Sequence, residues 1–177
     1  MHRNQLLGLL ETYIPTDQSE ESFRLETLGF VRNNPDCFDR NLQKGHITGS
    51  AWIIDNSQSF TLLTHHQKLD NWFQPGGHCD GESDVLNVAL REAEEETGIK
   101  SIDVQNSSIF DIDIHLIPEH KGFPAHWHYD IRFLFTADRN IPLVISSESR
   151  NLAWIPLCEV HLYNNSASLM RMVKKTQ

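Results

Sequence analysis

No two cysteines stand at C-x-x-C spacing, and the three present, Cys37, Cys79 and Cys158, are odd in number and far apart. A disulfide framework and a zinc knuckle are both excluded, leaving free thiols. Nor does any apolar run approach the length that spans a bilayer. Basic residues are few: 15 Lys and Arg face 24 Asp and Glu, a formal charge of -9 with a pI near 5.5. That sign is wrong for a chain that wraps nucleic-acid phosphates, so contact with phosphate calls for a metal in between. Internal repeats and low-complexity tracts are absent as well. What remains is 177 residues, 39% hydrophobic and 22% charged, with a mean hydropathy of -0.42. This is the composition of one folded domain with at most a modest extension. Met1 to Gln5 lead into a short apolar stretch broken by Glu11 and lacking a small-residue cleavage site, so the expectation is mature protein in the cytoplasm. Neither a membrane nor a nucleic acid is expected as a partner.

The first part of the chain reads as helical. Leu6, Leu7, Leu9, Leu10 and Tyr13 recur at helical spacing up to Pro15; Asp17 or Ser19 can then cap a second helix carrying Phe23, Leu25, Leu28 and Phe30, which ends at Asn33-Asn34-Pro35. From His46 the pattern becomes that of strands: 46–55, a turn at Asn56 to Ser59, and a return strand 60–64, a hairpin by its punctuation. A helix is predicted over 84–97, closed by Gly98 as a left-handed cap. Strands follow at 108–117, 126–136 and 153–155, and a last helix at 167–175. Strands interleaved with helices in this order predict an α/β domain with a mixed sheet over residues 46–177, preceded by a helical extension over 1–45.

Helix geometry sorts the carboxylates of Arg91-Glu92-Ala93-Glu94-Glu95-Glu96. At about 100° per residue, Glu92, Glu95 and Glu96 share roughly one third of the helix circumference, and Glu94 points away. Leu86, Ala89, Leu90 and Ala93 form the adjoining apolar stripe, with Val85 and Val88 nearer the acidic side. Three like charges toward a helix C-terminus repel one another and oppose the helix dipole. A divalent cation removes that cost, and carboxylate oxygens suit Mg²⁺ or Mn²⁺, which also bind phosphate oxygens. A solvated acidic face is the simpler alternative for the helix alone. Upstream, Pro75-Gly76-Gly77 lets backbone approach a ligand closely ahead of the helix.

The segment from Gly77 to Ile99 resembles the Nudix box: G, five residues, E, seven residues, then R-E-U-x-E-E-x-G-U with U aliphatic. Gly77, Arg91, Glu92, Ala93, Glu95, Glu96, Gly98 and Ile99 match at the required spacing. One position departs, since Ser83 stands where the first Glu belongs and Glu82 sits one residue early. Either the loop bulges so that Glu82 serves, or the role is unfilled and Ser83 or Asp84 caps the helix. The phrases around HITGSAWIID, LLTHHQKLDNWFQPGGHCDGE and HWHYDIRFLF are also similar to a bacterial subgroup of Nudix proteins. The resemblance implies an α/β/α sandwich that hydrolyses a diphosphate linkage, as in a nucleoside diphosphate joined to another moiety. It further implies Mg²⁺ held by Glu92, Glu95, Glu96 and the Gly76 carbonyl, Arg91 orienting the carboxylates, and one of these glutamates or a nearby acid as general base. For Arg91, an ion pair with Glu95 one turn on is the purely structural alternative. Two other uses of the fold stay open: a nucleotide sensor without turnover, and an isoprenoid diphosphate isomerase.

Two later strands alternate unusually. Asp111, Asp113 and His115 share one face of the first, and His126, His128, Asp130 and Arg132 one face of the second. Pairing them would build a patch of ionisable groups that we expect to line the substrate pocket. His126-x-His128 has a spacing suited to a transition metal, but no third ligand is identifiable along the chain. Glu148 is a candidate for an additional acid over the metal, and Trp72, Phe73 and Trp127 for stacking on a base. The helical extension could serve a homodimer interface or cover the pocket.

Overall fold

Strand β1 (Gly45–Asp55) is buried along all of its length, because its two faces carry two different cores. Its odd-numbered residues Ile47, Ala51 and Ile53 join one hydrophobic cluster; Trp52 and Ile54 join the other. The computed structural model from which this is read describes residues 2–67, 69–119, 122–146 and 149–177.

Helices α1 (Asn4–Thr12) and α2 (Gln18–Asn33) come first, the latter capped by Asp17, whose side chain accepts from the Glu20 amide. After β1 follow β2 (Phe60–His66), β3 (Asn71–Phe73), β4 (Gly76–His78) and helix α3 (Val85–Thr97). The second half holds β5 (Asp103–Val104), β6 (Asp111–Ile117), β7 (His126–Ala137), β8 (Ser149–Pro156), the short α4 (Val160–Tyr163) and α5 (Ala167–Thr176). The strands form one mixed sheet. β1 runs parallel to β7 from Gly45↔Trp127 to Asp55↔Ala137, and antiparallel to β2 and β4; β6 pairs antiparallel with β7, and β8 with β2. The expected hairpin joins β1 to β2, its turn held by the Asp55 carboxylate, which accepts from Ser57 and from the Ser59 and Phe60 amides.

Helix α3 lies on the odd face of β1, so close that a side chain on Gly49 would meet the Val85 carbonyl at 2.9 Å. Helix α5 covers the opposite face with Leu169, Met172 and Val173 against Trp52. Each such side chain contributes roughly 1.5–3 kcal/mol on full burial. The expected α/β/α layering and mixed sheet are therefore observed. The extension packs into the α3-side core through Leu6, Leu10, Leu28 and Val31, and Phe30 stacks on Tyr129 with ring centroids 4.0 Å apart. Differences from the expected elements are local. The strand expected from Ser108 begins at Asp111, and β3, β4, β5 and α4, only two to four residues long, are too short to show a periodicity.

A buried ion network clamps the ends of these elements together. Arg132, 3% exposed, donates to Asp130 at 2.8 Å, Asp111 at 3.1 Å and the Ser168 hydroxyl at 2.6 Å. From α5, Arg171 donates to both oxygens of Asp111 at 2.7 and 2.8 Å. Lys175 donates to Asp111 at 2.9 Å and also to Glu20 of α2, which accepts a further bond from Tyr13. Burial alone would raise the Asp111 carboxyl, but the Arg171 hydrogen bonds and the charges of Arg132, Arg171 and Lys175 outweigh it and hold the group below its usual 3.8. Burial is likewise overcome at Asp113, by its bond to His115 and the charge of Arg132.

Unfolded, both carboxyls return to ordinary values, so just below about pH 4 the unfolded chain binds more protons than the native one. The stability they contribute is complete above about pH 5 and is lost as the pH falls through and below about 4. Urea midpoints should therefore drop from pH 5 to pH 3.5, and His46 and His128, whose folded pKa burial holds below the ordinary 6.5, already remove stability between pH 7 and 5. A midpoint at pH 3.5 equal to that at pH 5 would show that the network carries no such linkage.

Candidate active site

Helix α3 begins at Asp84, whose carboxylate accepts from the Asn87 amide, and ends at Gly98 with φ of 75°, the left-handed cap expected there. Glu82 is exposed and accepts from the Asp84 amide at 3.1 Å. The helix buries Val85, Val88, Ala89 and Ala93, while Leu86 and Leu90 are only partly covered. The apolar stripe is thus rotated from the expected one toward the acidic side. That rotation brings Glu92 and Glu96 to the backbone of β4.

Glu96 accepts from the Gly76 amide at 3.2 Å, and the Glu92 carboxylate packs against Gly77. Arg91 donates from one nitrogen to Glu92 at 2.9 Å and to the His78 carbonyl at 3.1 Å. It therefore bridges helix and strand, where the structural alternative had paired it with Glu95. Glu95 is exposed on the same helix face, and Glu94 turns outward to Lys100 at 3.2 Å. Glu92 and Glu96 thus lie against the Gly76-Gly77 backbone, offering oxygen groups of the kind a hard divalent cation takes, while Glu95 is exposed.

Gly77 has no positive φ, so alanine is compatible with its backbone, but a Cβ there would collide with the Glu92 carboxyl. Gly77→Ala is expected to displace that carboxylate and lower kcat roughly 10- to 100-fold with little change in melting temperature. An unaltered kcat would mean that the position of Glu92 does not matter.

On the opposite face of the sheet the two alternating strands pair as required to form a patch. Asp111 faces Arg132, Asp113 faces Asp130 and His115 faces His128, while β1 adds Ser50, Thr48 and His46 on the other side of β7. The patch has two ends of different character. At one, Asp111 and Arg132 are fully committed to the ion network beneath α5; Asp130 is shared between it and the hydroxyls of Thr48 and Ser50, at 2.9 and 2.7 Å. At the other, imidazoles gather: His115, bonded to Asp113 at 3.1 Å, His126, bonded to the Pro124 carbonyl at 2.9 Å, and His128. Two more that the sequence reading did not single out join them, His46 from β1 and His78 from β4. Burial, and then the neighbouring His78 and His126, lower His46 to about 4; burial followed by His46 and His78 lowers His128 further. At neutral pH both are neutral rings.

Trp72 stacks on His65 with centroids 5.0 Å apart, and Trp127 is 43% exposed. Glu148 lies outside the described residues. Among the described residues no helix is long and apolar enough to cross a membrane.

Comparison with known proteins bears on the family and the fold. A family model described as NUDIX domain matches residues 45–175. A bis(5'-nucleosyl)-tetraphosphatase [asymmetrical] of Mus musculus is 31% identical over 108 residues, 60% of this chain and 70% of the mouse protein. The fold is similar to that of a C. elegans Ap4A hydrolase in a binary complex (TM-score 0.57, 19% identity, 73% of this chain and 93% of the other). It is also similar to the E. coli dihydroneopterin triphosphate pyrophosphohydrolase (TM-score 0.57, 13% identity, 78% and 95%). The chain belongs to the Nudix family of pyrophosphohydrolases.

Proposed function

We propose that the protein hydrolyses a phosphoric anhydride bond in a nucleoside diphosphate linked to another moiety. Glu92, Glu95, Glu96 and the Gly76 carbonyl would hold a divalent cation, Mg²⁺ or in its place Mn²⁺. The observation that carries this reading is the meeting of Glu92 and Glu96 with the Gly76-Gly77 backbone, fixed by Arg91. A cation held there supplies Lewis acidity, lowering the pKa of a bound water and offsetting charge on the phosphoryl oxygens. The chain's own groups do the rest. Arg91 keeps the Glu92 carboxylate in place from β4, and one of the three glutamates or a nearby acid would take the proton of the attacking water. Across β4, His115, His126 and His128 face the substrate, while Asp111, Asp113, Asp130 and Arg132 hold the floor on which those rings stand. The similarity to asymmetrical tetraphosphatases makes dinucleoside polyphosphates the first substrates to try.

The test is a panel of dinucleoside polyphosphates, nucleoside triphosphates, sugar nucleotides and isoprenoid diphosphates, with Mg²⁺ or chelator, followed by phosphorus NMR. Metal-dependent cleavage of an anhydride bond is the expected result. Binding without turnover of any compound would instead indicate a sensor, and rearrangement of an isoprenoid diphosphate without loss of phosphate an isomerase.

A further inference from the structure

Strand β4 separates two sets of possible ligands. Alternate residues of a strand face opposite ways, so Gly77 lies toward the carboxylates of α3 while His78, opposite Thr48, lies toward the other sheet face. There one nitrogen each of His46, His78 and His128 lies within 4.8 Å of the other two. The Nε2 atoms of His46 and His128 are 3.1 Å apart. Two nitrogens bound to one ion at about 2.0–2.1 Å with a tetrahedral angle stand roughly 3.3 Å apart, so this spacing is that of neighbouring ligands. His46 is 1% exposed, and its Nδ1 finds no hydrogen bond of normal geometry. Burying the His46 imidazole beside two other rings brings desolvation, which a shared ion would offset.

We propose that His46, His78 and His128 form a binding site for one divalent transition-metal ion of the zinc type, separate from the carboxylate face of α3. Imidazole nitrogen suits Zn²⁺, Cu²⁺, Fe²⁺ or Ni²⁺, whereas Mg²⁺ takes oxygen ligands. The three residues come from β1, β4 and β7, so their backbones are fixed by sheet pairing and the site needs no loop to close. Three protein ligands leave at least one coordination position free, and the rings of His78 and His128 are only half-buried. His115 and His126 flank the site, 5.4 and 5.1 Å from His128 between ring centroids. Their Nδ1 atoms are engaged by Asp113 and by the Pro124 carbonyl.

The experiment uses full-length protein without a histidine tag, stripped with chelator and dialysed. Zn²⁺ is titrated by calorimetry and Co²⁺ by visible absorption, in wild type, His78→Ala, His128→Asn and Glu96→Gln. One equivalent should bind wild type and Glu96→Gln alike, and at least roughly tenfold more weakly in both histidine variants. The Co²⁺ complex should show the intense visible bands of a four- or five-coordinate nitrogen site. Zn²⁺ should also raise the melting temperature of wild type and Glu96→Gln but not of His78→Ala, whose metal-free melt checks that it is folded. Absence of Zn²⁺ binding in wild type would overturn the proposal, leaving a hydrogen-bonded imidazole cluster. Binding abolished by Glu96→Gln and untouched by His78→Ala would overturn it equally, by assigning the ion to the carboxylates.

Discussion

Glu96→Gln is expected to reduce kcat roughly 10²–10⁴-fold while the folded protein stays at least as stable as wild type. Glutamine keeps the shape of the side chain and a carbonyl oxygen able to accept from the Gly76 amide, so the contact between α3 and β4 survives. What it removes is one of three negative charges on neighbouring turns. Without a cation those charges repel at about 0.2–0.5 kcal/mol per pair, and losing one relieves the helix. On the proposed reading the same charge helps to hold a cation against the phosphoryl oxygens when substrate is present. Activity and stability should therefore move independently. Steady-state kinetics across a Mg²⁺ series, beside metal-free urea melts, checks both halves. A variant that retains more than a tenth of wild-type kcat would remove Glu96 from the machinery.

The second large effect is structural. Arg132→Met is expected to cost about 3–5 kcal/mol, a large share of the roughly 5–15 kcal/mol by which a domain of this size is stable. Asp111 would keep Arg171 and Lys175, but Asp130 would keep only the Thr48 and Ser50 hydroxyls and Gln74 among the described residues. It would then be a carboxylate 2% exposed with no cation beside it. Adding Asp130→Asn to Arg132→Met should recover part of the loss, since the orphaned charge goes with it. Urea unfolding of the single and double variants measures this. A single-variant loss under about 1 kcal/mol would mean that water reaches the network in the native protein.

Much of this site was legible along the chain because its signals are local. The carboxylates of α3 lie within five residues and declare their shared face by helical spacing; the alternation of β6 and β7 was enough to predict a polar patch if the two strands paired, and they do. Less legible were contacts set by which elements become neighbours. His46 meets His128 only because β1 and β7, 82 residues apart in sequence, run parallel with that register. His78 belongs to a three-residue strand whose two glycines carry no hydrophobic pattern. Two of the three cations that neutralise Asp111 come from α5, where Arg171 and Lys175 read as the polar side of an amphipathic helix. The rotation of α3 toward its acidic side was hidden for a related reason: Val85 and Val88 fit either face until the sheet chooses one.

The bond between Glu20 and Lys175 gives the fold an order in time. The two residues are 155 positions apart, so during synthesis the acid is made about 10–30 s before its cation at ordinary elongation rates. Over that interval Glu20 has no lysine to face, while Asp111, once made, can meet Arg132 but neither Arg171 nor Lys175. Burying Glu20 before α5 has emerged would leave its charge without the lysine that faces it in the folded protein.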